Sequence, residues 1–342
     1  MSRPRRSRRG SALPAALAIV AVAAIASATL STLARTEVLL ARNRAAASAA
    51  LAAADGCAAA VVSELPAGWD FDAIVVGADG VAGTADDGGR PAPAGCAATV
   101  RAAPGPVDPA RAVLRVEATA GEGRRTIDAV VGRAPPAGVP ALLWLTDAAA
   151  LDDVHGSLTL TGTDATRPTA PLAPLAAPFD PAALDAWLAG QAPAVVVSPP
   201  TRAPLRASPP PLTELAARAR AAGAAPGGTL VATGAPPLAL TLIAGDLHVT
   251  SLGRGQGLLF VDGLLDITGT FEFSGLVVAS GGIRVASAAR LDVAGAVWLG
   301  SGATLAIDGE ARVAADGAAV EAADGLLPLP RRAALTSMRD AS

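Results

Sequence analysis

"GLLFVDGLLDITGTFEFSGLVVASGG", residues 257–282, carries glycine at 257, 263, 269, 275 and 281, a fixed spacing of six with short runs of Leu, Ile, Val and Phe between. A period this short reads as short strands stacked coil upon coil, with glycine at the corners and each coil burying its inward side chains against its neighbours. Asp, Glu and Thr alternate with the apolar residues, as they do where one face is buried and the other wet. Farther on, Gly295, Gly302 and Gly309 recur at a spacing of seven. Residues 238–322 are therefore expected to form a small β-solenoid, with a flat β-sandwich as the alternative.

The same region supplies Asp246, Asp262, Asp266, Asp292 and Asp308, and solenoid glycan lyases and hydrolases use clustered carboxylates. These aspartates adjoin glycine corners or alternate with apolar neighbours, as solvated positions do. Serine-nucleophile elbows, phosphate loops and paired metal-binding histidines are absent from the sequence. No enzyme activity and no catalytic residue is expected.

Residues 134–237 hold most of the prolines, in runs such as "TRPTAPLAPLAAPFDP" and "VVVSPPTRAPLRASPPPL", and read as a Pro/Ala-rich linker with short helices. One helix is expected over "AALDAWLAGQ", opened by Asp180-Pro181 as cap and first turn, and another over "LTELAARARAAG", ending at Gly223. Asp164, in "SLTLTGTDA", is expected to be a turn residue. Residues 97–133 alternate as strands around Gly121-Glu122-Gly123 and predict an antiparallel hairpin.

At the other end, Arg3, Arg5, Arg6, Arg8 and Arg9 stand before an uncharged run from Ser11 to Ala34. As a helix that run spans roughly 36 Å, enough to cross a hydrocarbon core of about 30 Å. It is long for a secretory signal, although Ala26-Ser27-Ala28 offers a small-residue cleavage site near Thr29. The arginines would hold the N-terminus in the cytoplasm and send the remainder across. Helical character continues through "TEVLLARNRAAASAALAAADGC" until Asp55-Gly56 supplies a stop. The formal net charge is −3, and loss of residues 1–10 with their five arginines would leave −3 − 5 = −8. A chain that acidic is not drawn to nucleic acid.

A short basic leader ending in Gly10, an apolar segment and a longer amphipathic helix together resemble the N-terminus of type IV pilin-like proteins. The wording of residues 9–52 is most similar to the PilX-type minor pilins. The resemblance implies that a prepilin peptidase cuts between Gly10 and Ser11 and that the retained helix packs among other pilin-like subunits on an inner-membrane assembly platform. Most major pilins carry Glu as the fifth mature residue. Here that position is Ala15, and a missing carboxylate is familiar in the K-type minor pseudopilins at pseudopilus tips. The resemblance thus implies a minor subunit that primes or caps a type IV pilus or pseudopilus. Such a subunit is anchored in a bacterial inner membrane with its C-terminal part periplasmic, and later stands at the filament tip or cell surface. The alternative is a membrane-anchored solenoid that binds polysaccharide.

In that oxidising compartment Cys57 and Cys96 are expected to pair, closing a loop whose bridge is worth about 4 kcal/mol. His155 and His248 lie far from both cysteines in sequence and support no zinc site. Within the loop, "GADGVAGTADDGG", residues 77–89, places Asp79, Asp86 and Asp87 among glycines. This resembles the DG-x-x-GT-x-DD loops of exported bacterial proteins, some of which bind calcium, and makes calcium the one cofactor to consider. The expected fold is α+β: leader 1–10, helix 11–54 with its membrane part at 11–34, small β domain 55–133, linker 134–237, solenoid 238–322 and C-terminal tail 323–342.

Overall fold

The structure, a computed structural model, describes residues 12–77, 79–104, 108–134, 139–146, 154–164, 172–198, 203–226 and 236–341. Gly10 and Ser11 lie outside them. One long helix, α1 (Ala12–Glu64), leads into a short turn of helix, α2 (Asp72–Val75). Helix α1 runs through Asp55-Gly56, where the sequence predicted its end. A helical glycine costs about 1 kcal/mol relative to alanine. Burial of Cys57, Ala58, Val61 and Val62 against the sheet outweighs it.

That sheet is antiparallel, with strands β1 (Gly89–Arg90), β2 (Cys96–Ala102), β3 (Arg111–Ala120) and β4 (Gly123–Ala134) in spatial order. Strands β3 and β4 form the expected hairpin, Ala120 opposite Gly123. Leu114, Val116, Ile127, Ala129 and Val131 face the helix.

The chain then leaves the sheet and builds the solenoid. Its early strands are β5 (Ala141–Leu145), β6 (Ser157–Thr161) and β7 (Ala173–Ala177), followed by α3 (Pro181–Gly190), β8 (Val195–Ser198) and β9 (Leu205–Arg206). Asp180 caps α3, its carboxylate accepting from Ala182 N. Next come α4 (Leu212–Ala221), β10 (Ala225–Pro226), β11 (Leu238–Ile243) and β12 (Leu247–Val249). The last turns are β13 (Leu252–Val261), β14 (Leu264–Ile267), β15 (Thr270–Ala279), β16 (Gly282–Val285), β17 (Arg290–Leu299), β18 (Thr304–Ile307) and β19 (Glu310–Ala314). All pairings in this part are parallel.

The six-residue spacing is one third of a coil. Gly257 pairs with Gly275 eighteen residues on, and Gly275 with Gly295 twenty on. At these three positions the ten-residue strands bend, with φ of +112°, +135° and +143°. Each long strand thus contributes to two faces, and β12, β14, β16 and β18 form the third. Three faces of short stacked strands around one interior core, from Leu142 to Ala315, make a β-solenoid rather than a flat sandwich.

The order of coils is permuted. The first half of β17 pairs with β19, which pairs with β6 and then β8; its second half pairs with β5, which leads to β7 and β9. The chain therefore enters at mid-solenoid and winds outward to β8 and β9. It crosses to the opposite end through α4 and winds back to its starting level. Helix α3 occupies the stretch where a third-face strand would run, packing Leu184 onto the interior core. Outside the second face, α4 and α5 (Gly317–Leu326) cover Leu258, Phe260, Leu276, Val278 and Trp298 in a second apolar layer.

Two expected boundaries change accordingly. Much of the 134–237 linker is solenoid, because β5 to β9 stack on the later coils. The 323–342 tail contains β20 (Arg332–Asp340), the fifth strand of the antiparallel sheet, paired with β4. The solenoid is an insertion between two neighbouring strands of the helix-backed sheet.

Candidate functional site

The first feature that could carry function is the free part of α1. Residues 16–45 are exposed throughout, with Leu17, Ile19, Val20, Val22, Ile25, Leu30 and Leu33 all open. Its length and composition suffice to cross a membrane. Its three threonine hydroxyls bond back along the helix: Thr29 donates to Ile25 O and Ala26 O, Thr32 to Thr29 O and Thr36 to Leu33 O. Threonines satisfied along the helix axis suit lipid or a dry bundle of like helices.

The second feature is the junction at the other end of α1, which the sequence did not reveal. Gly68 and Arg331 exchange two backbone hydrogen bonds, 3.0 and 2.7 Å. Trp69 Nε1 donates to Pro328 O at 2.6 Å, and Ser208 Oγ to Glu64 O at 3.2 Å. Arg133, the penultimate residue of β4, is the keystone. Its Nε and one terminal nitrogen donate to Asp70 O at 2.9 and 2.6 Å, and the other terminal nitrogen to Pro66 O at 2.6 Å and Arg331 O at 3.2 Å. The guanidinium also lies over the Phe71 ring, 4.1 Å from its centroid. Burial pushes its pKa down to about 10, with Asp70 and Glu214 opposing, so the group is cationic at neutral pH. Asp324 holds Arg331 at 2.6 Å. The strands entering and leaving the solenoid are thereby tied to the chain that follows α1.

Cys57 and Cys96 come together as expected, but as two free thiols rather than a disulfide. Burial, with the neighbouring Cys96 thiol adding to it, pushes the Cys57 thiol up to about 12. A thiol held neutral supplies little of the thiolate that disulfide formation needs.

Asp79, Asp86 and Asp87 offer carboxylate oxygens within 4.8 Å of one another. They could present hard ligands to a divalent cation. Part of their capacity is already engaged, since Val81 N donates to Asp79, Gly83 N to Asp87, and the Thr84 hydroxyl to both Asp86 and Asp87.

Among the described residues the solenoid aspartates form no cluster of three ligand groups, although Asp308 acts on Arg284 together with Asp266. Asp262 pairs with Arg220, Asp292 with Arg290, and Asp246 accepts from Leu264 N. Asp266 is buried and held by Arg284 at 2.8 and 3.0 Å and by His248 Nδ1 at 3.0 Å. The Arg284 hydrogen bonds, more than those of His248, keep its carboxyl below the ordinary range against the effect of burial. Asp164, read as a turn residue, is instead buried and accepts from Gly317 N at the start of α5.

No protein-family model matches the chain, and no curated protein matches it. Among solved structures it is similar to the competence-associated pilin ComZ from Thermus thermophilus, at 12% identity over 78% of this chain and 86% of that one, with a TM-score of 0.24. A score that low carries no argument, so the functional reading rests on the chain's own geometry.

Proposed function

We propose that this chain is a pilin-like minor subunit that primes or caps a type IV pilus or related pseudopilus. The observation that carries the reading is the polarity of α1. Its N-terminal part is an exposed apolar rod, while its C-terminal part lies under a small antiparallel sheet and abuts a solenoid inserted in that sheet.

In this reading the prepilin peptidase cuts after Gly10, the rod waits in the inner membrane, and an assembly platform moves it into the bundle of other subunits' helices. The solenoid sits beyond the C-terminal end of α1, away from the membrane. There it would collide with subunits stacked above at close axial spacing, whereas at a tip nothing stands above it. Ala15 gives a second reason: it has no carboxylate for the amino terminus of a neighbouring subunit, and a charge left unpaired in a dry core is costly. Quantitative mass spectrometry of sheared filaments tests the placement. A few copies per filament are expected, and abundance approaching that of the major subunit would refute it.

A further inference from the structure

The outer face of the antiparallel sheet, opposite α1, bears a cavity of about 450 Å³ beside Ala103, Pro104 and Asp108. Its apolar floor is Val113 and Val130, and its polar wall includes Arg111, Asp128 and Arg339.

A β-bulge creates that wall. Leu335 pairs with Val131 and Ser337 with Val130, leaving Thr336 as the extra residue, its hydroxyl bonded to Val130 O. Leu335 packs toward the helix. Regular alternation would turn residues 337 and 339 the same way. The bulge reverses the alternation and brings Ser337 and Arg339 to the cavity.

The local charge is opposite in sign to that of the chain. The lining itself is balanced, Arg111 and Arg339 against Asp108 and Asp128, and Arg101 and Arg115, which act on Asp128 from outside the cavity, bring the surrounding patch to four positive groups against two negative, or +2, in a protein of net −3. Asp128 is buried, takes two hydrogen bonds from Arg115 at 2.8 and 3.0 Å, and forms a longer ion pair with Arg339 at 3.6 Å. Asp108 accepts from Ala110 N and meets Arg111 at 3.4 Å. Glu117, the next acidic group on this face, is engaged by Arg124. Arg111 and Arg339 are both well exposed, at 63% and 75%, beside the apolar floor of Val113 and Val130.

We infer that this cavity binds a carboxylate-bearing sugar, the guanidinium groups of Arg111 and Arg339 taking the carboxylate and the floor of Val113 and Val130 taking the C–H face of the ring. Guanidinium suits this task because its planar fork matches a carboxylate and remains charged at any working pH.

The test is calorimetric titration of the full chain in detergent at low salt with digalacturonate, with neutral digalactose and inorganic phosphate as separate arms. Digalacturonate is expected to bind, to weaken as salt rises, and to lose at least tenfold in affinity in Arg339→Ala and in Arg111→Ala. Arg339→Gln, which keeps the side chain's bulk, is expected to lose as much. Both arginines are exposed, and an unchanged far-UV circular dichroism spectrum and thermal melt check that each variant is folded. The absence of digalacturonate binding, equal binding of digalactose, or indifference to both arginine changes would overturn the inference. Phosphate binding as tightly as digalacturonate would show an oxyanion site that does not read the ring, and would overturn the sugar assignment. None of these outcomes depends on where the subunit sits in a filament.

Discussion

Substituting alanine for Gly275 tests the stacked-coil architecture at one of its most confined points. The residue has φ +135°, a region that side chains other than glycine's rarely occupy, at a cost of about 1–3 kcal/mol. A Cβ there would also lie closer than 3.0 Å to the carbonyl carbon and oxygen of Gly257, backbone that cannot rotate away. Forcing the coils apart adds a further ~1–3 kcal/mol, as overpacking does in cores. The two together give about 2–6 kcal/mol. Trp144 and Trp298 lie edge to face at 5.0 Å on the second face of the solenoid, so tryptophan emission during urea unfolding reports this part of the molecule. With a slope of about 2 kcal/mol per molar, mid-range for urea, the midpoint should fall by roughly 1–3 M. Gly245→Ala is the control, because φ there is +95° but nothing lies within 4 Å of the added methyl. It should show the conformational cost alone. If the two variants shift the midpoint equally, the coils do not press together at Gly275 and the argument fails.

Arg133→Met keeps much of the apolar stem but strips the carbonyls of Pro66 and Asp70 of this donor, while Arg331 O keeps Gly68 N. At about 1–3 kcal/mol for each of the two acceptors, a loss of about 2–6 kcal/mol is expected in chemical denaturation, with new protease cleavage between β4 and the solenoid; a loss under ~1 kcal/mol would deny it the keystone role. The folded pKa of Asp266 is depressed below its ordinary 3.8, so its contribution to stability is complete above that value and lost as pH falls through the folded one. Asp266→Asn should therefore be less stable than the parent at pH 7 and approach it in thermal melts as the pH is lowered beyond the ordinary carboxylate value; a gap that does not narrow would contradict this. Alkylation of native protein purified under reducing conditions should label half-buried Cys96 well before buried Cys57, and equal rates would mean that the pair is more open than the structure has it.

Legibility in the sequence followed the range of the interactions. The 257–282 glycines, the 111–134 hairpin and the Asp180 cap are short-range patterns, and each could be read from residues near in sequence. The permuted coil order could not. "ALLWL" at 141–145 is buried on both sides, one against the interior core and one under the helices, so it has no alternation to distinguish strand from helix. The prolines around it punctuate corners between short strands, which from composition alone looks like a linker. Strand β20 pairs with β4 across some two hundred residues, and its "RAALTSMRD" breaks alternation at the bulge. Arg133 looked like one more strand arginine, because its partners are backbone carbonyls that carry no side-chain signature.

The mature N-terminus tests the central claim most directly. Intact-mass measurement of the protein extracted from membranes of its native host should give a chain that begins at Ser11 and keeps the whole apolar run of α1, as a filament subunit requires. A chain beginning near Thr29 would mean that the run is a discarded secretory signal, and the pilin-like account would be wrong.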